Sequence, residues 1–136
     1  FRERPDRLLV CATNFIRSLD SAFLRHGRFD YVIPIGLPDA DARASIWERF
    51  IPAASADTVD VARLVTASEG FTPADIEFAA RKASQQALES SVYGTAGGVR
   101  GPTTADYLDA VGQTRSTLTE AMVADFTDDI ERISRL

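Results

Sequence analysis

The chain has 136 residues, a net charge of −5, 45% hydrophobic and 26% charged residues, which is enough for one ordinary globular domain or two small subdomains. The acidic excess excludes a general nucleic-acid surface, which needs clustered lysine and arginine. A single cysteine, Cys11, and a single histidine, His26, exclude an internal disulfide framework and a Cys/His zinc centre, so no metal site is expected, and no apolar run approaches the ~20 residues that cross a bilayer.

The first residues, Phe1-Arg2-Glu3-Arg4-Pro5-Asp6-Arg7, do not read as a signal peptide. The chain opens without a methionine, so the expectation is a natural protein that starts further upstream. Leu8-Leu9-Val10-Cys11-Ala12 is a short continuous apolar run, the pattern of a strand buried on both faces of a parallel sheet. Asn14 then stands just past the carboxyl end of that strand, where open α/β sheets bind ligands; read blandly, it is a turn residue that caps local backbone. Asp20 is a good N-cap for a short helix over residues 21–25, which stops at Gly27. Arg25 and Arg28 flank that glycine, and Tyr31-Val32-Ile33-Pro34-Ile35 reads as a second strand. An arginine stays charged at neutral pH, and its fork matches phosphate oxygens. For an arbitrary R-x-x-R, however, two surface arginines at a helix end are the simpler reading.

From Asp39 the pattern turns helical. Ala42, Ile46, Trp47 and Phe50 form an apolar stripe that Pro52 ends. Residues 59–67 predict a second helix with Val61, Leu64 and Val65 inward, closing at Gly70. Thr72-Pro73-Ala74-Asp75 opens a third, with Thr72 as cap and Pro73 in the first helical position. Its small face, Ile76, Ala79, Ala80, Ala83 and Ala87, lets another helix approach closely, and it runs to about Ser91. Residues 94–102 carry four glycines and read as a surface loop; a phosphate cradle there would need the G-x-x-x-x-G-K-[ST] spacing and a lysine, which the loop lacks. Thr104 is expected to cap a fourth helix with Tyr107, Leu108 and Val111 inward. Thr117-Leu118-Thr119-Glu120 has capping-box spacing ahead of a final helix through Val123, Phe126, Ile130 and Ile133. The acidic face of that helix, Asp125, Asp128, Asp129 and Glu131, is expected to be solvated surface.

The predicted organisation is lopsided: an α/β portion over residues 1–38, then an all-α bundle over 39–136, mostly helical overall. Two strands alone make a poor sheet, so partner strands are expected elsewhere in a longer protein.

These segments together resemble the AAA family of ATPases, in the branch that includes the valosin-containing protein. Leu8 to Asn14 is similar to the family's fourth core strand ending in its sensor-1 asparagine. Leu19-Asp20-Ser21-Ala22-Phe23-Leu24-Arg25-His26-Gly27-Arg28-Phe29-Asp30 resembles its second region of homology, with His26 at the usual proline. Ile35-Gly36-Leu37-Pro38-Asp39 and Asp41-Ala42-Arg43 resemble the crossing into the helical lid, and Gly70 to Asp75 resembles the lid motif G-x-[ST]-G-A-D, with Pro73 at the usual second glycine. The resemblance implies the end of a P-loop NTPase parallel sheet followed by a helical lid. It implies that Asn14 orients the attacking water, that Arg25 and Arg28 are arginine fingers acting on a neighbouring subunit's nucleotide, and that Gly70, Pro73 and Ala74 lie near the adenine. It further implies ATP and Mg2+ as cofactors of the parent protein, a ring of neighbouring copies (a hexamer), a protein substrate that is remodelled or unfolded, and a cytoplasmic location. The chain carries neither a Walker A lysine loop nor a Walker B acidic strand, so the chain by itself is expected neither to bind ATP tightly nor to hydrolyse it. The alternative reading is a non-catalytic AAA-like interaction or regulatory module.

Overall fold

Asp39 begins the helical part of the chain. Its carboxylate accepts the Ala42 N–H at 2.8 Å, meeting one of the donors that a helix start leaves unpaired, and α1 follows over Ala40–Phe50. Asp60 does the same for α2, Val61–Ala67, accepting from Arg63 N–H at 3.1 Å. The helices α3, Pro73–Tyr93, α4, Thr104–Gly112, and α5, Glu120–Ile133, complete the set. The computed structural model describes residues 8–20, 22, 31–93 and 100–133. It divides into two units, Ile35–Val123 and the pair of segments Phe1–Pro34 with Ala124–Leu136.

The larger unit is a helical bundle in which α1 packs on α2 and α3, and α4 packs on α3 and α2. Alanines make this possible. Ala79, Ala80, Ala83 and Ala87 are buried on α3 beside Ile76, and their short side chains let Trp47 of α1 and Tyr107 of α4 enter the core whole. Those two rings meet edge to face, with centroids 5.7 Å apart and planes at 75°, an arrangement worth about 0.5–1.5 kcal/mol beyond the area it buries. The Trp47 indole N–H donates to Ser68 Oγ at 3.0 Å, and Ser68 Oγ donates on to the Leu64 carbonyl at 2.7 Å. A buried chain of donors therefore joins α1 to the end of α2. The Tyr107 hydroxyl has no hydrogen-bond partner among the described residues. Burial pushes its pKa up, and Ser84, whose hydroxyl already donates to the Ala80 carbonyl at 3.0 Å, opposes this only in part.

Several expectations need correction. The described residues contain no strand: Leu8 to Ala12 and Tyr31 to Ile35 are irregular, and Leu8 and Tyr31 are 88% and 92% exposed. A strand exists by the ladder it shares with a neighbour, and neither run finds one among the described residues, so the α/β portion is not seen as sheet. The α2 helix starts two residues later than its apolar pattern, because Asp60 takes the cap and leaves Val59 buried ahead of it. Thr103, not Thr104, caps α4 in a reciprocal box with Asp106, which frees the Thr104 hydroxyl to accept Asp60 N–H at 2.9 Å. Asp20 accepts Ala22 N–H at 2.9 Å as a cap would, while the rest of the predicted short helix lies outside the described residues.

In the smaller unit, the acidic face of α5 is largely exposed, as expected, and is also ion-paired. Arg17 donates to the carboxylates of Asp125 at 3.2 Å, Asp128 at 2.9 Å and Asp129, and to the Asp125 carbonyl at 3.0 Å. The three carboxylates raise the guanidinium pKa further, the Asp129 hydrogen bond most of all.

The two core rings differ in a way that unfolding experiments can read. Trp47→Phe leaves Ser68 short of a partner and is expected to cost about 1–3 kcal/mol. Tyr107→Phe removes a hydroxyl that makes no well-formed hydrogen bond, beside a Ser84 already bonded to Ala80, and is expected to be neutral or slightly stabilising. Urea midpoints of both variants test this ranking, and the reverse order would contradict it.

Candidate functional site

The segment between α2 and α3 carries the sequence motif Gly70 to Asp75. Its shape follows from local chemistry. Ser68 ends α2, donating its N–H to the Leu64 carbonyl at 2.9 Å, and its own carbonyl accepts Phe71 N–H at 3.1 Å. Reversing direction in so few residues puts Gly70 at φ +77°, a region where an L side chain is strained and glycine is not. Phe71 is buried and anchors the far side of the turn. Pro73 takes the first position of α3, where its missing N–H costs nothing.

Asp75 holds this turn together. It is 3% exposed, and Oδ2 accepts Thr72 N–H at 2.9 Å and the Thr72 hydroxyl at 2.8 Å, while Asp75 N–H donates back to Thr72 Oγ1 at 3.2 Å. The same oxygen accepts Thr117 N–H and the Thr117 hydroxyl, both at 3.3 Å. Burial works to raise the Asp75 pKa, but the bonds from Thr72 and then Thr117 outweigh it and hold the carboxyl below its ordinary value. Beside it, the Ser116 hydroxyl donates to the Gly70 carbonyl at 3.0 Å. Thr117 is thus spent on Asp75, and the N-cap of α5 falls instead to Thr119, which accepts Met122 N–H at 3.3 Å. On the other flank, Arg43 of α1 donates to the carbonyls of Val65 at 3.2 Å and Pro38 at 3.0 Å, fixing the entry to the bundle against α2.

The structure therefore brings Gly70, Pro73 and Ala74 onto one exposed turn over a buried support of Phe71 and Asp75. Asn14 is exposed at a bend in the other unit. Arg25 and Arg28 lie outside the described residues. A shallow hollow of about 420 Å³ between α2 and Leu108, lined by Asp60, Arg63 and Thr66, contains none of the predicted site residues. Sequence reasoning missed the supporting side chains. Thr72-x-x-Asp75 has the reciprocal capping spacing and could have revealed Asp75; Ser116 and Thr117 act across 46 and 42 residues and leave no local signal. No helix among the described residues is long and apolar enough to cross a membrane.

No family model matches the chain. Among curated proteins it is similar to the Cell division cycle protein 48 homolog of Archaeoglobus fulgidus, 39% identical over 88 residues, covering 62% of this chain and 12% of that protein. It is 40% identical over 79 residues to the ATP-dependent zinc metalloprotease FtsH 4 of Sphaerobacter thermophilus, covering 56% of this chain and 12% of the relative. It is 37% identical over 81 residues to the Proteasome-activating nucleotidase of Saccharolobus islandicus, covering 59% and 21%. The chain thus spans between 12% and 21% of the length of these relatives.

The two low carboxyls predict an acid response. The Arg100 guanidinium donates to Asp106 at 2.6 and 3.2 Å and, with Thr103, holds that carboxyl well below the usual range. Asp75 is lowered too. A carboxyl lowered on folding adds stability that is fully present above its unfolded value near pH 4 and is lost as pH falls through its folded value. The urea midpoint should therefore drop on acidification below about pH 4, and Asp106→Asn should start lower at neutral pH and flatten that drop. An acid response of Asp106→Asn as steep as the wild type's would contradict the assignment.

Proposed function

Starting from the homology of this chain to the AAA ATPases, we propose that it is the C-terminal part of a AAA module of the valosin-containing-protein-like branch. In this reading residues 1–38 end the α/β nucleotide-binding subdomain and residues 39–136 form the helical lid. The protein that contains it couples ATP hydrolysis to the remodelling or unfolding of a protein substrate, as a ring of copies, a hexamer, in the cytoplasm. The words "ATP-dependent" and "nucleotidase" in the relatives' names support the nucleotide. The observation that carries the reading is the turn Gly70–Asp75: small, exposed backbone at Gly70, Pro73 and Ala74 over a rigid buried floor suits the flat face of a base.

Each proposed role has a physical basis. Asn14, exposed and uncharged, has an amide that can orient a water by donating and accepting at once. Arg25 and Arg28 supply fixed positive charge to the oxygens of a phosphoryl group held by the neighbouring copy; such fingers contribute roughly 10³–10⁵ in rate where they have been measured. Pro73 has no N–H, so the turn meets adenine by shape more than by hydrogen bonding. ATP and Mg2+ belong to the whole protein: this chain has no Walker A lysine loop and no Walker B strand, and its one lysine, Lys82, lies in the middle of α3.

Turnover of the natural full-length protein tests the mechanism. Arg25→Ala is expected to lower ATP turnover by roughly 10³-fold or more while nucleotide binding persists; unchanged turnover would overturn the finger assignment. A full-length protein that binds no ATP at all would favour the non-catalytic module. The chain by itself is expected to give no micromolar ATP binding in a calorimeter, and micromolar binding would count against the division of labour proposed here.

A further inference from the structure

The stretch between α4 and α5 is a joint, not a tether. Thr114 is tied back to α4, its N–H donating to the Val111 carbonyl at 3.0 Å and its hydroxyl to the Ala110 carbonyl at 2.7 Å. Two residues on, Ser116 donates to the Gly70 carbonyl at 3.0 Å, and Thr117 donates N–H and hydroxyl to Asp75 at 3.3 Å. Thr119 then caps α5. The segment that leaves α4 is thus tied to the turn Gly70–Ala74 and to the start of α3 through two exposed hydroxyl residues.

Glycine makes this joint consequential. Gly70 has no side chain to fix its backbone, and at φ +77° a Cβ built there would meet nothing within 4 Å. The Gly70 carbonyl and the Phe71 N–H belong to one planar peptide, and two hydrogen bonds orient it: the Ser116 hydroxyl donates to the carbonyl, and the N–H donates to the Ser68 carbonyl. Phe71, next in the chain, is buried, so Ser116 supplies the bond to this peptide that comes from outside the α2–α3 turn. Asp75 limits the other end, and Thr117 shares its carboxylate with the α3 cap.

We propose that Ser116 and Thr117 are positioning residues that fix the Gly70–Ala74 turn in its nucleotide-receiving shape, so that the joint ahead of α5 sets nucleotide affinity. The proposal rests on the reading that this turn faces the base. The two residues touch the turn and not the reacting atoms, so they govern affinity and leave the chemical step alone. The capping box of Thr72 with Asp75 uses neither residue, so the start of α3 is expected to survive their removal.

The test is steady-state ATP turnover of the natural full-length protein carrying Ser116→Ala with Thr117→Val, beside Ala74→Glu. The double variant is expected to raise KM for ATP roughly three- to tenfold, the worth of one or two hydrogen bonds, with kcat within about twofold and a lowered melting temperature, since Thr117→Val takes one donor from the buried Asp75 carboxylate; Ser116→Ala alone, which touches no buried charge, is expected to raise KM with the melting temperature unchanged. An unchanged KM would overturn the proposal, as would a KM rise that comes with a matching fall in kcat. Ala74→Glu puts a charge on the face assigned to the base and is expected to raise KM more strongly. If Ala74→Glu raises KM and the double variant does not, the joint alone fails; if Ala74→Glu leaves KM unchanged, the reading of the turn fails and this proposal with it.

Discussion

A carboxylate removed from water must find its donors inside the protein or give up its charge. Asp75 is the residue on which that constraint falls in this fold, and four donors from two distant stretches, Thr72 and Thr117, converge on one of its oxygens. Meeting the constraint fixes three things at once: where α3 starts, how the chain turns out of α2, and where the segment after α4 passes. An apolar residue at position 75 could fill the space but could not specify the path of Thr117, since apolar contact has no direction. The order of this corner therefore comes from polar chemistry, while the alanine face of α3 supplies the cohesion.

The bundle was legible in the sequence because its causes are local. A period near 3.6 in apolar residues marked α1 through α4, and Thr72-Pro73 marked the start of α3 to the residue. What the sequence concealed was competition between equivalent groups. Thr103 and Thr104 are both fit to cap α4, and Asp60 N–H, 44 residues away, decides between them by engaging Thr104. Thr117 and Thr119 pose the same choice ahead of α5, and the buried charge of Asp75 takes the first and leaves the second. The acidic stripe of α5 is solvent-facing as read, but nothing in its own spacing announces its ion pairs with Arg17, more than a hundred residues earlier. In each case the local pattern offered candidates and a distant partner chose one.

The expected strands are not seen among the described residues for a related reason. The apolar runs at Leu8–Ala12 and Tyr31–Ile35 have the composition of buried strands, but a strand, unlike a helix, contains none of its own hydrogen bonds. Composition states an intention that only a neighbour can fulfil. Of the candidate site, the turn at Gly70, Pro73 and Ala74 was legible as a motif, whereas its support by Phe71, Asp75, Ser116 and Thr117 was visible only once the helices had been brought together.

Pro73 joins the two themes. At the first position of α3 it is the residue that helix geometry favours most, and it stiffens the segment between Thr72 and Asp75 that the carboxylate grips. Rigidity on that side leaves Gly70 as the one position in the turn where the backbone stays permissive, and its carbonyl is held by an exposed hydroxyl on the way to another helix. Two hydrogen bonds hold that peptide, from the Ser116 hydroxyl to its carbonyl and from its N–H to the Ser68 carbonyl, so the turn can change its shape by breaking these while the core around Trp47 and Tyr107 stays packed. That separation follows from the energies involved: about 1 kcal/mol for each of these bonds, against several for burying either ring.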